Sequence, residues 1–255
     1  ELSFDKFWNT QFPGGTRGLI EFRALESLPR AEWASAVALL WRALAAHLLD
    51  HSYRAPLVDY GAALHDSWFL PSSLWSDFRS VLADLAVGEL TLEEKVFRAI
   101  WEWRFPVLLR SGGLTVRRAL EAWPLLCETP LEGGATSRFV DTSIERLEFS
   151  AGRDLSRGGA LRVNGRPLTL RETQGGLWVA GLRYRSSALH PSLHPGFPVQ
   201  MPLTVEIGRG SARRCFTLTA GSAGFRPSKP GARPSSDLVP CRAPSRDAWT
   251  YDLRL

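Results

Sequence analysis

Apolar and polar positions along this chain change their period near residue 106, and the two regimes predict different elements. Residues 18–25, GLIEFRAL, read as a strand leading into a helix, with Ile20 and Phe22 on one side and two charges, Glu21 and Arg23, together on the other. Residues 31–50, AEWASAVALLWRALAAHLLD, are apolar almost all round, which predicts a buried helix, and Pro29 suits its first turn. After Pro71 the residues Leu74, Trp75, Phe78, Val81, Leu82 and Leu85 recur at helical spacing. A third helix is expected to open on a capping box formed by Thr91 and Glu94 and to stop before Pro106.

From Pro106 onward the texture becomes short β-prone runs separated by Gly, Pro and Asn. FPVLL and LTVRRAL flank RSGG, a hairpin signal, and LRVNGRPLTL places Asn164-Gly165 between two apolar runs, which predicts a type I′ turn. Further strands are expected in SIERLEFS, LWVAGLRYR, PLTVEIG and RRCFTLTA, and a last one in AWTYDLRL after a Gly-, Pro- and Ser-rich tail from Ala220 to Pro244. The expected class is α+β: a strand and helices over 1–105, then a β-rich domain of sandwich or barrel type over 106–255.

Charge sharpens this division. Residues 1–150 carry 15 Lys and Arg against 20 Asp and Glu, whereas residues 151–255 carry 16 against 6, so an acidic first part precedes a basic second part. A basic domain attracts anionic polymers, but no basic motif interleaved with aromatics accompanies it, and nucleic acid is not indicated. No uninterrupted apolar run of about 18 residues is present, so no membrane partner is expected and the cytoplasm is the expected location. Because the chain begins with Glu1 rather than Met, it is read as a piece of a longer polypeptide. Cys127, Cys215 and Cys241 lie far apart with no C-x-x-C spacing, which indicates neither a zinc knuckle nor a disulfide framework.

Candidate chemistry is sparse. Glu21 and Arg23 are open to two readings, an ion pair on a solvated face or a functional pair facing a polar cavity. His47 and His51 have a metal-chelating spacing but no third ligand in view, and read as a polar cluster at a helix end. His190 and His194 belong to a Pro-rich surface turn. Asp141-Thr142-Ser143 reads as a turn feeding a strand, with no G-x-S-x-G elbow nearby. Cys215 reads as a strand residue, and the tryptophans fall at core spacing.

The E-x-R strand, the short loop with an acid and a proline, and the Ala/Leu-rich helix together resemble the last core strand and helix of the glutamine synthetase and glutamate–cysteine ligase fold. Longer stretches, GAALHDSWFLPSSLWSDF, GGLTVRRALEAWPLL, SRFVDTSIERLEF, VAGLRYR and SALHPSLHPGFPVQMPL, resemble in this order the C-terminal part of the bacterial amidoligase family, whose members are often encoded beside transglutaminase-like and ATP-grasp proteins. The resemblance implies ATP-dependent joining of a carboxylate to an amine through an acyl phosphate. It implies Glu21 as a ligand of Mg²⁺ or Mn²⁺ and Arg23 as the catalytic grip on the activated carboxylate. Glutamine synthetases carry a further Arg two positions before the Glu, where this chain has Leu19, and Arg17 is the residue left to contact ATP. The implied partners are small-molecule or peptide carboxylates and amines, and a transglutaminase-like or ATP-grasp protein; the piece alone is expected to be inactive. The rival reading is a non-catalytic scaffold whose basic β-domain binds a peptide or an acidic polymer.

Overall fold

The computed structural model describes residues 2–3, 7, 13–15, 18–19, 21–22, 25–121, 125–130, 136–156, 161–190, 192, 196–229 and 249–253. The chain is mixed α and β, with its long helices in the first part and most of its strands after residue 106. A two-stranded ribbon of β1 (Leu2–Ser3) and β2 (Glu21–Phe22) precedes helix α1 (Ala31–Asp50). A π-turn at Leu64–Trp68 leads into α2 (Pro71–Val87) and then α3 (Glu94–Arg104). The strand expected over 18–25 is therefore short, since Gly18 takes φ +63° and Leu25 is already outside it.

Aromatic contacts join the three helices. Trp33 of α1 meets Trp103 of α3 at 5.8 Å, Trp75 of α2 meets Trp101 at 5.6 Å, and Phe78 meets Phe97 at 5.2 Å. Edge and tilted ring pairs of this kind add to the area they bury. Two details differ from the sequence reading. Only Trp33 and Ala43 of α1 are buried, and Leu39, Leu48 and Leu49 are exposed, so the helix is covered on one side among the described residues rather than all round. No capping box opens α3: the helix begins at Glu94 with Glu93 as an uncapped N-cap, and the Glu94 carboxylate instead reaches Arg79 of α2 at 3.4 Å.

The β-rich part holds two sheets. The first runs β10 (Arg171–Glu172), β11 (Trp178–Arg185), β7 (Ile144–Ala151), β4 (Leu114–Ala119) and β3 (Val107–Ser111), and β15 (Thr250–Asp252) lies parallel to β11. The second runs β14 (Arg226–Ser228), β13 (Arg214–Leu218), β12 (Leu203–Ile207), β8 (Leu161–Val163) and β9 (Arg166–Pro167). A separate hairpin pairs β5 (Leu125–Pro130) with β6 (Thr136–Val140). Both expected hairpin turns form: Gly112 and Gly113 have φ +56° and +79°, and Asn164 and Gly165 have φ +47° and +75°, as a type I′ turn requires.

One apolar cluster lies between the two sheets. Leu147, Phe149, Leu182 and Tyr184 come from the first and Val163, Val205, Ile207 and Leu218 from the second. The first sheet therefore has an apolar inner face, and alternation sends Arg117, Arg146, Glu148, Gly181 and Arg183 to its outer face. Helix α2 starts on that outer face. Leu70, just before it, is fully buried, and a Cβ added at Gly181 would come within 3.1 Å of its side chain, so glycine is what lets the helical layer approach the sheet. Replacing Leu70 with Ala is expected to lower unfolding free energy by about 2–5 kcal/mol in urea denaturation. A loss below ~1 kcal/mol would show that this contact does not anchor the layers.

Candidate functional site

Phe22 packs on Trp41 of α1 with ring centroids 4.4 Å apart, so the apolar side of β2 faces the long helix as the alternation predicts. Glu21, half-buried and paired in register with Ser3, falls on the opposite side. Arg17 and Arg23 lie outside the described residues. Glu21 offers one carboxylate, and a hard divalent ion takes about six oxygen ligands. Among the described residues no cluster of three or more His, Cys, Asp or Glu side chains stands ready to hold a metal. The described residues thus do not make up a Mg²⁺ or Mn²⁺ site by themselves.

The other expected residues settle into structural roles. His47 stacks on His51 at 4.7 Å and 16°, at the end of α1, where the His51 N–H donates to the His47 carbonyl. Asp141 Oδ1 accepts from the Ser143 N–H at 2.9 Å and from its hydroxyl at 2.6 Å, the turn that feeds β7. Cys215 is buried on β13, and burial pushes its thiol up, away from nucleophilic use. His190 is exposed; His194, Cys241 and the Cys127 side chain lie outside the described residues.

What the sequence reading did not single out is a row of buried charge between α2 and the first sheet. Glu148 is 1% exposed, and its Oε2 accepts from the Ser72 N–H at 2.9 Å and the Ser72 hydroxyl at 2.7 Å. The N-cap residue of α2, Leu70, has no capping side chain, so a carboxylate from a strand 76 residues away takes that role. Arg117, opposite Glu148 on β4, donates to the Phe105 carbonyl at 3.0 Å and lies 4.5 Å from the Trp101 ring. The same ring meets Arg98 at 4.3 Å, while its N–H donates to the Pro71 carbonyl at 3.0 Å. One indole thus ties two guanidinium groups to the first turn of α2.

Arg146, opposite Arg183 on β11, donates to the Asp66 carbonyl and to the Thr250 hydroxyl. Burial brings its pKa down to about 10, with Glu121 pulling the other way, so it stays charged near neutrality. Arg183 pairs with Glu121 at 2.7 Å. Arg185, also on the outer face, is held by the carbonyls of Ser187 and Phe197. A pattern visible in the sequence marks these residues: R-x-E at Arg146 and Glu148, and R-x-R at Arg183 and Arg185, repeat on buried strands the same-face charge spacing that drew attention to Glu21 and Arg23.

Beside this row, an open groove of about 580 Å³ runs along α2 and is lined by Tyr60, Trp68, Ser72, Ser76, Gln174 and Trp249 among others. Hydroxyls and indoles dominate its walls. No residue of β2 lines it.

Burial raises the Glu148 pKa above its ordinary value of 4.5, partly opposed by the Ser72 hydrogen bonds. The folded chain therefore holds this proton at pH values where the unfolded chain has lost it. Stability from this group is present below the unfolded pKa and is lost as pH rises to the raised folded value. In urea denaturation from pH 4 upward, wild type should lose stability relative to Glu148→Gln over that window and level off above it. Parallel curves would rule out a buried, titrating carboxylate.

No curated protein and no solved structure matches the chain. A family profile described as "Putative amidoligase enzyme" does match, over residues 1–248, and the chain belongs to that family.

Proposed function

We propose that this chain is the C-terminal portion of an ATP-dependent carboxylate–amine ligase, in which β2 is the last strand of a glutamine synthetase-like catalytic sheet. The observation that carries the reading is the Phe22–Trp41 contact, which turns the apolar side of β2 to α1 and puts Glu21 on the opposite side. The reaction is phosphorylation of a carboxylate by ATP and displacement of phosphate by an amine, with Mg²⁺ or Mn²⁺ neutralising phosphoryl charge. Glu21 contributes one oxygen ligand, Arg23 orients the carboxylate through its planar fork, and Arg17 contacts nucleotide phosphate. The remaining ligands come from strands outside this piece, which alone is inactive. The two packed sheets form a β-sandwich accessory domain that receives a peptide or small-molecule substrate, or a transglutaminase-like or ATP-grasp partner.

The scaffold reading keeps most of its basic charge at the surface, where Arg213, Arg214 and Arg226 are exposed. Arg185 of the basic part is 3% exposed and Arg183 is paired, so part of that charge is used inside the molecule.

The test uses the full-length protein with ATP, Mg²⁺ and hydroxylamine as the amine, trapping activated carboxylates as hydroxamates. Glu21→Gln should reduce trapping by about 100-fold or more with folding unchanged by circular dichroism. Undiminished trapping in that variant would remove Glu21 from the site.

A further inference from the structure

β15 is three residues long, yet more groups hold it than its length requires. The Asp66 carboxylate accepts the N–H of Trp249 and that of Thr250, both at 2.7 Å, one on each oxygen. Gly181 N–H donates to the Trp249 carbonyl at 2.8 Å and Leu253 N–H to the Arg183 carbonyl at 2.9 Å. The Gln200 amide donates to the Leu253 carbonyl at 2.6 Å. Side chains are read as well as backbone. The Thr250 hydroxyl accepts from Arg146 and donates to the Asp66 carbonyl, in space that a Cβ on Gly181 would fill. Tyr251 accepts from the Thr169 N–H at 3.0 Å, Asp252 lies 3.8 Å from Arg183, and Leu253 enters the shared apolar cluster.

Two features separate this strand from its neighbours. It is the one parallel pairing among the described strands, and it occupies only residues 181–183 of β11, beside the stretch at 178–179 that β10 covers. Its anchors come from the π-turn, β7, β11 and the segment before β12, all of which are ordered by contacts of their own.

We propose that the edge of β11 beside Gly181, with Asp66, Arg146 and Gln200, is a sequence-reading strand-capture site: Trp249–Leu253 sits in it as a bound peptide would, and the same segment of a second copy of this chain can replace it. Strand addition of this kind draws affinity from main-chain hydrogen bonds and selectivity from alternate side chains. Exchange of identical elements between copies is its symmetric form. Trp249 also walls the groove along α2, so the occupant of the slot shapes that groove. The inference does not depend on the ligase reading.

A tethered strand competes at an effective concentration on the order of millimolar, so the tether has to be cut before exchange is measured. A protease site is placed within residues 231–247 of the full chain and cut after folding. The C-terminal piece should stay with the body through gel filtration. Excess labelled peptide of residues 248–255 should then replace it, and the body never stands with an empty slot. The peptide carrying Thr250→Val, or a body carrying Asp66→Asn, should bind at least tenfold more weakly. Departure of the piece from a body that stays folded would overturn the proposal, as would unfolding on cutting, or equal binding by the Thr250→Val peptide.

Discussion

The Glu148 carboxylate at the start of α2 is the contact on which the joining of the two layers rests. A helix beginning at Pro71 leaves unsatisfied N–H groups, and here they point into a sheet rather than into water. An apolar sheet face could not receive them. Glu148 can, because one of its carboxyl oxygens accepts two hydrogen bonds at the start of the helix. Its own desolvation still raises its pKa and is opposed in part by the Ser72 hydrogen bonds and, less, by Arg117 and Arg146. Each guanidinium in turn meets carbonyls at Phe105 and Asp66, which lie at the end of α3 and in the π-turn. Removing the carboxyl group would leave the buried start of α2 without its acceptor.

The stretches that carry the family resemblance meet at this seam. Asp66 comes from GAALHDSWFLPSSLWSDF, Arg117 from GGLTVRRALEAWPLL, Arg146 and Glu148 from SRFVDTSIERLEF, and Arg183 from VAGLRYR. Gln200, from SALHPSLHPGFPVQMPL, accepts the Arg185 N–H at 2.7 Å and holds β15. These stretches therefore specify how a helical layer is fastened to a sheet. Polar residues in a buried seam admit few substitutes, since each donor must meet its own acceptor.

Periodicity disclosed what depends on neighbours in sequence. The helices beginning at Ala31 and Pro71, the turns at Gly112-Gly113 and Asn164-Gly165, and the strands around Leu147, Leu182 and Val205 all follow from local patterns. What needed the fold was any feature whose partner is distant. Thr91 and Glu94 have the spacing of a capping box, but the helix opens at Glu94 with Glu93 as its N-cap, and the Glu94 carboxylate pairs with Arg79 of α2. Apolar residues all round α1 predict burial, yet periodicity says nothing about which layers cover a helix. Glu148 and Arg146 were legible as charges on one side of a strand, though not as a cap, because the helix they serve lies more than 70 residues earlier. Of the site implied by resemblance, alternation could place Glu21 and Arg23 on one side of the strand, and of these two only Glu21 lies among the described residues.

The opposite charges of the two parts acquire a structural meaning from the same seam. Read along the sequence, an acidic stretch followed by a basic one invites an external anionic partner. In the fold, acids of the first part face bases and N–H groups of the second. Glu121 holds Arg183, and Asp66 holds the amides of Trp249 and Thr250. Such pairs are worth little on a surface and far more when water is excluded and every donor is met. Charge asymmetry along a chain is then partly a record of which segments must find each other when it folds. Only the surplus left outside the seam is free to attract a partner.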